Sequence, residues 1–253
     1  MWLETKAAVL ERGRRRVVDE VTVGAGPGEF IALVGPNGAG KSSLLLMLAG
    51  LAKPTQGSVQ LDGRVLGAWP SDALARRRAY LPQNPRCDWP IPVERLVALG
   101  LTPTLPTFGD FGPDDGARID AALASMDLES QRHQAATTLS GGELARAMLA
   151  RALVGDPAVI LVDEPLAGLD PRHAIDTARR LRGLADQGRL VIAAIHDLNL
   201  ALRHATRLWA LREGKLVVDG APDVVLDAAL IGKLFDVGAR IATADGSRYV
   251  EFT

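Results

Sequence analysis

Three stretches of the chain are apolar at almost every position and then turn polar: "FIALVG" from residue 30, "VILVDE" from 159 and "LVIAAIH" from 190. A strand with one face in water alternates; one covered on both faces does not, so these runs predict buried parallel strands with functional groups at their carboxyl ends. Before the first run, "KAAVL" and "RVVDEVTV" read as shorter strands, separated from it by the turn-forming "GAGPGE". Between the first two runs the period changes. In "ARIDAALASMDL" and "GGELARAMLARAL" apolar residues recur at three and four, which predicts that residues 93–153 are mainly helical. The helical block opens through "LPQNPRCDWPIP", whose prolines predict an irregular segment. Near the end, "RLWALREGKLVVDG" reads as a hairpin turning at Glu213-Gly214, and "SRYVEF" as a last strand.

Alternation of buried strands with helices predicts an α/β protein, and the 47% apolar content of the 253 residues is ample for a core. The formal net charge of −1 gives no global basic field, so nucleic acid is not an expected partner. The "RRR" runs at 14–16 and 76–78 read as solvated faces. A single cysteine, Cys87, excludes an intramolecular disulfide, and together with an N-terminus unlike a secretion signal it points to a reducing cytosol. No apolar run approaches the ~20 residues that span a bilayer, so membrane association is expected only through a partner.

The chemistry starts at "GPNGAGKSS", residues 35–43, which fits G-x-x-x-x-G-K-[ST] between a buried strand and the apolar "LLLMLAGLA". Gly35, Gly38 and Gly40 let the loop bend so that, past Pro36, which has no N–H, the successive N–H groups of Asn37-Gly38-Ala39-Gly40 and its neighbours face one concavity, and the helix adds its positive end. Lys41 is placed to reach the β- and γ-phosphates, the Ser42 hydroxyl to coordinate Mg²⁺, and Ser43 to continue the cradle. "VILVDEP" supplies the complement: Asp163 for the metal's hydration shell and Glu164 as general base for an attacking water. His196 ends the third run on the same sheet edge, where it can orient that water. Gln83 of "YLPQ" offers a side-chain oxygen to the Mg²⁺ or the water. A second phosphate-holding pattern comes later in "LSGGE": Ser140, Gly141 and Gly142 stand at a predicted helix start, ahead of Glu143.

Taken in order, "GPNGAGKSS", Gln83, "LSGGE", "VILVDEP", "AGLD" and His196 resemble the Walker A, Q-loop, signature, Walker B, D-loop and H-loop of ATP-binding cassette (ABC) ATPases, over essentially the whole chain. The resemblance implies a P-loop NTPase fold with a mixed β core, an antiparallel β subdomain and an inserted helical subdomain. A RecA-like core with the β subdomain is expected over 1–83 and 156–253, and the helical subdomain with the signature over 84–155. It also implies why there are two phosphate patterns. Two cassettes associate head to tail, and each ATP lies between the Walker A loop of one and the signature of the other, with Asp170 in the D-loop. "VERLVALGLTPTLPTFG", "AWPSDALARRRAYLPQ" and the region after His196 are similar to the ATPases of iron-siderophore, haem and cobalamin importers. Those enzymes use ATP and Mg²⁺, form a dimer of ATPase subunits, sit on the cytoplasmic face of the inner membrane against permease subunits, and serve a periplasmic or surface binding protein indirectly. The alternative is a soluble ABC ATPase, as in iron-sulfur cluster assembly. The chain departs from the family pattern at three places. Arg12 aligns where an aromatic residue, commonly Tyr, stacks on adenine; Glu143 stands where the family at large has Gln; and Ala145 stands where Gln is common.

Overall fold

The computed structural model describes residues 2–104, 112–166, 169–244 and 246–253. The later part of "VERLVALGLTPTLPTFG" and Ala167-Gly168 of "AGLD" lie outside the described residues. In chain order the elements are strands β1 (Leu3–Arg12), β2 (Arg15–Ala25) and β3 (Phe30–Val34), helix α1 (Lys41–Leu48), strands β4 (Gln56–Leu61) and β5 (Arg64–Val65), helix α2 (Ser71–Arg77) and strand β6 (Arg78–Leu81). Helices α3 (Val93–Ala98), α4 (Pro113–Ser125) and α5 (Gly141–Leu153) come next, then β7 (Val159–Asp163), α6 (Pro171–Asp186), β8 (Leu190–Ala194) and α7 (Leu198–His204). The chain closes with β9 (Arg207–Arg212), β10 (Lys215–Gly220), α8 (Pro222–Val225), α9 (Ala228–Phe235), β11 (Ala239–Ala244) and β12 (Ser247–Phe252).

The three apolar runs are β3, β7 and β8, and all five residues of each are buried. They sit side by side in a six-stranded sheet of order β10-β9-β3-β8-β7-β6, parallel except at the β10–β9 edge. Each strand divides its side chains between two cores by the period of two. Phe30, Ala32 and Val34, with Ile160 and Val162, join the core built with α3 to α7 and α9. Ile31 and Leu33, with Val159 and Leu161, join the core under α1 and a second, antiparallel sheet of order β2-β1-β4-β5.

The hairpin between β9 and β10 turns at Glu213-Gly214, both at positive φ of 52° and 80°, as a two-residue turn between right-twisted strands requires. The segment "SRYVEF" is β12, but it pairs with β11 in a separate two-stranded sheet. The helical periods appear as α4 and α5, while residues 82–92 are irregular apart from one bridge between Pro92 and Ala135. Strands β4, β5, β6 and β11 and helices α2, α6, α7, α8 and α9 are additions to the expected elements.

The loop after β3 is pressed against its neighbours. At Gly40, with φ of 102°, a Cβ would stand 2.2 Å from the Val17 carbonyl oxygen, and at Gly35 it would stand 2.1 Å from that of Leu211. Only glycine fits both the conformation and the space. Gly40→Ala is therefore expected to lower unfolding free energy by ~1–3 kcal/mol, measured by urea denaturation; an unchanged midpoint would contradict this packing.

Candidate functional site

The loop from Gly35 to Gly40 leads directly into α1, whose first turn has no acidic residue and whose N-cap makes no side-chain hydrogen bond. Its leading N–H groups therefore receive no side-chain cap, and with the helix dipole they favour an anion. Lys41 is buried, 5% exposed, and donates to the carbonyl oxygens of Gly35 at 2.8 Å and Pro36 at 3.2 Å. Burial lowers its pKa, while the charges of Glu164 and Asp163 pull it back up.

The end of β7 brings the acidic groups Asp163 and Glu164 to the same edge, and the end of β8 brings His196. Asp163 is 3% exposed, and its Oδ1 has no hydrogen-bond partner among the described residues. Burial raises its pKa; the neighbouring Ser42 hydroxyl acts against the rise. Tyr80 on β6 faces it, and burial together with the Asp163 charge pushes the phenol up to about 12. An orphaned, buried carboxylate oxygen next to a serine hydroxyl is an all-oxygen donor set, which fits Mg²⁺ when a polyphosphate supplies further oxygens.

Glu164 departs from the strand with φ of 52°, a conformation a non-glycine residue adopts at a cost. The turn aims its carboxylate between two partners. Gln83 Nε2 donates to Oε2 at 2.6 Å, and His196 Nε2 lies 2.5 Å from Oε1. These three residues, distant in sequence, thus form one hydrogen-bonded group beside the phosphate-loop cavity. That cavity, of about 390 Å³, is walled by Asn37 to Ser43, Gln83, Glu164, Val17 and two arginines, Arg12 and Arg15. Arg12, the residue aligned with the family's aromatic position, is among the residues that line it; Arg15 and Val17 carry no sequence signal, because only the hairpin register brings them there. Among the described residues no aromatic side chain lines the cavity.

The residues of "LSGGE" do not line it. Ser140 is the N-cap of α5 and Glu143 closes a capping box with it. One Glu143 oxygen accepts both the Ser140 N–H at 2.8 Å and the Ser140 hydroxyl at 2.7 Å, and the other accepts from Gln131 at 3.1 Å. The Ser140 contacts, its hydroxyl first, hold the Glu143 carboxyl below its ordinary range. Glu143 therefore fixes the signature serine, a role the sequence pattern left open. Gly141 and Gly142 carry no side chain over the leading turn of α5, and Gly141 lines a separate groove of about 310 Å³ with Pro82 to Arg86, Ala145, Glu164 and Pro165. Asp170 caps α6, accepting from the His173 N–H at 3.0 Å and meeting its Nδ1 at 2.6 Å.

Residues 18–167 match the family model described as ABC transporter. The chain belongs to the ABC transporter family. It is 44% identical over 250 residues to the hemin import ATP-binding protein HmuV of Rhodopseudomonas palustris, covering 95% of this chain and 90% of that protein. It is 38% identical over 240 residues to the ferric enterobactin transport ATP-binding protein FepC of Escherichia coli, covering 94% and 89%. Among solved structures, an inward-facing ABC transporter shares the fold with a TM-score of 0.85 over 99% of this chain and 96% of that one, at 23% identity. The ATP-binding cassette MJ0796, a dimer in a post-hydrolysis state with ADP and Pi, matches at a TM-score of 0.77 over 87% and 98%, at 26% identity. The cassette is thus an ATPase of the ABC type, with the mixed and antiparallel sheets of that fold.

The electrostatics of Asp163 give a testable sign. Because its pKa is raised in the fold, the folded chain binds more protons than the unfolded one between the two values; the group favours folding at low pH, and that contribution is lost as pH rises through the folded value. Above that folded value, where it is ionised, it destabilises the ligand-free cassette. Asp163→Asn is expected to raise the thermal midpoint more at about pH 7 than at about pH 4 in the absence of nucleotide. Equal gains at both values would show that the effect is not ionisation.

Proposed function

We propose that this chain is the ATP-hydrolysing subunit of an importer that moves an iron complex, haem or cobalamin through a partner permease. The observation that carries the reading is its likeness along nearly the whole chain to HmuV and FepC, whose names state hemin import and ferric enterobactin transport. Cargo itself is chosen outside the cassette, so the importer class is inferred from kinship and the chemistry from the site.

In this reading the phosphate loop, residues Gly35 to Ser43, holds the ATP polyphosphate. Lys41 turns its ammonium from the Gly35 and Pro36 carbonyls to the β- and γ-phosphates, a transfer that burial favours because an unneutralised ammonium in this setting is costly. Ser42, Asp163 and Gln83 would hold Mg²⁺, which supplies charge neutralisation across the phosphates when bound. Glu164 accepts the proton of the attacking water, while His196 and Gln83, which already hold its two oxygens, set the direction in which it faces.

The second phosphate pattern assigns itself to another copy. Ser140 to Glu143 do not line the cavity of their own chain, so a homodimer in which each signature faces the partner's ATP gives both patterns a use. Asp170 stands on the same seam. The chain divides for this purpose into a core of 1–83 and 156–253 and a helical part of 84–155 that carries the signature. In this reading the groove between Pro82 to Arg86 and α5 is the docking place for the permease, together with the irregular segment that follows it, where Trp89 is 68% exposed. Among the described residues no helix is long and apolar enough to cross a membrane. In this reading the permease contact holds the subunit at the cytoplasmic face of the inner membrane, with the external binding protein engaged only indirectly.

Two substitutions separate the roles. Lys41→Ala is expected to abolish tight ATP binding in equilibrium titrations, and unchanged affinity would defeat the phosphate-loop assignment. Glu164→Gln should instead retain ATP, slow phosphate release by ~100-fold or more and accumulate an ATP-bound dimer visible by size-exclusion chromatography. Parent-like hydrolysis by Glu164→Gln would remove it as the base. Co-purification of a multi-span membrane protein with the tagged chain tests the importer reading.

A further inference from the structure

The histidine that meets Glu164 is fastened to the C-terminal hairpin of β11 and β12, no described residue of which lines the nucleotide cavity. His196 lies between two fixed points. Before it, the Ile195 N–H donates to the Leu33 carbonyl of β3 at 3.1 Å, which ties the chain to the sheet. After it, Asp197 caps α7, and one of its carboxylate oxygens accepts the N–H of Asn199 at 2.8 Å and that of Leu200 at 3.1 Å. Asn199 carries the connection onward. Its Oδ1 accepts the Val250 N–H at 2.7 Å, and its Nδ2 donates to the Val250 carbonyl at 3.3 Å.

This pair of bonds stands in for a strand. Among the described residues β12 has β11 as its only strand neighbour, with Val250 opposite Ile241. Val250 is buried in the core that α7 and α9 share, so its backbone groups need partners. A side-chain amide offers an acceptor and a donor side by side, the set that an adjoining strand presents. The same arrangement brings the hairpin up to the histidine. His196 walls a groove of about 400 Å³ with Leu198, Phe235, Val237, Phe252 and Thr253, while its Nε2 lies 2.5 Å from Glu164 Oε1. A shift of the first turn of α7 relative to the sheet therefore moves the ring against Glu164. We propose that Asn199 is a positioning residue for ATP hydrolysis: by clamping β12 to the first turn of α7, it holds His196 where it directs the Glu164 carboxylate. The inference rests on the reading of Glu164 as the base and of His196 as the group that sets its direction. The C-terminal hairpin thereby serves the reaction without lining the nucleotide cavity.

The test is MgATP hydrolysis by the purified full chain, with kcat and KM measured for the parent, Asn199→Ala, His196→Ala and the two combined, alongside ATP affinity by equilibrium titration and thermal melts. Asn199→Ala is expected to lower kcat by ~10-fold, because a displacement of about 1 Å at a catalytic group is enough for losses of that order. KM and ATP affinity should stay within about twofold of the parent, since the phosphate loop is untouched. In the double variant the loss should equal that of His196→Ala alone, because the amide acts through the ring. Asn199→Asp keeps the acceptor for the Val250 N–H and loses the donor to its carbonyl; it should lower kcat by less, and it serves in place of Asn199→Ala if that variant does not fold. A folded Asn199→Ala with parent-like kcat, whatever its thermal midpoint, overturns the proposal, and so do losses that multiply in the double variant. His196→Ala separates this from failure of the site itself. Parent-like hydrolysis by His196→Ala would defeat the reading of the histidine, whereas impaired His196→Ala beside parent-like Asn199→Ala defeats only the role assigned to Asn199.

Discussion

The site depends on the register of three buried parallel strands. Leu33 on β3 and Asp163 on β7 both pair with Ala194 on β8, so the three strands end at one level. Each has every residue buried and exchanges its backbone hydrogen bonds with neighbours on both sides. A slip of one residue would send Phe30 and Ile31 into each other's cores, so the register is strongly specified. The polar residues at and just past the strand ends are therefore delivered to one edge: the phosphate loop after Val34, Asp163 and Glu164 at the end of β7, and His196 just beyond β8.

Placement at the edge is not yet chemistry. The polar groups acquire their properties because the edge is partly closed. Lys41 and Asp163 are buried between the loop, the sheet and α1, and burial shifts each toward its neutral form, Lys41 downward and Asp163 upward. Such groups gain most from a ligand of complementary charge, because it removes the penalty that the fold imposes on them. Glu164 is treated differently. Its backbone is held at positive φ and its carboxylate is held from two sides, by Gln83 from the end of β6 and His196 from the end of β8. Movement of either partner changes where the carboxylate points, and so links the sheet edge to the irregular segment that begins at Gln83.

The signature region obeys a separate local logic. Ser140, Glu143 and Gln131 form a closed hydrogen-bonded group that organises the start of α5 without help from the phosphate loop. Its independence is consistent with a site assembled from two chains, in which each half must be formed before the halves meet.

Much of this was legible in the residues. Unbroken apolar runs announce strands covered on both faces, the glycine pattern before Lys41 announces an anion cradle, and Ser140 ahead of Glu143 announces a helix start; each signal is local, because the physics behind it acts within a few residues. The existence of the α/β core, the phosphate loop, the paired Asp163-Glu164 and the hairpin at Glu213-Gly214 came from sequence alone. Tertiary structure decided what depends on pairing and close approach between distant segments. These are the meeting of Gln83 and His196 on Glu164, the orphaned oxygen of Asp163, the pressure of Val17 on Gly40, and the hairpin register that carries Arg15 as well as Arg12 over the cavity. No local pattern encodes them, because each is set by how separate strands come into contact.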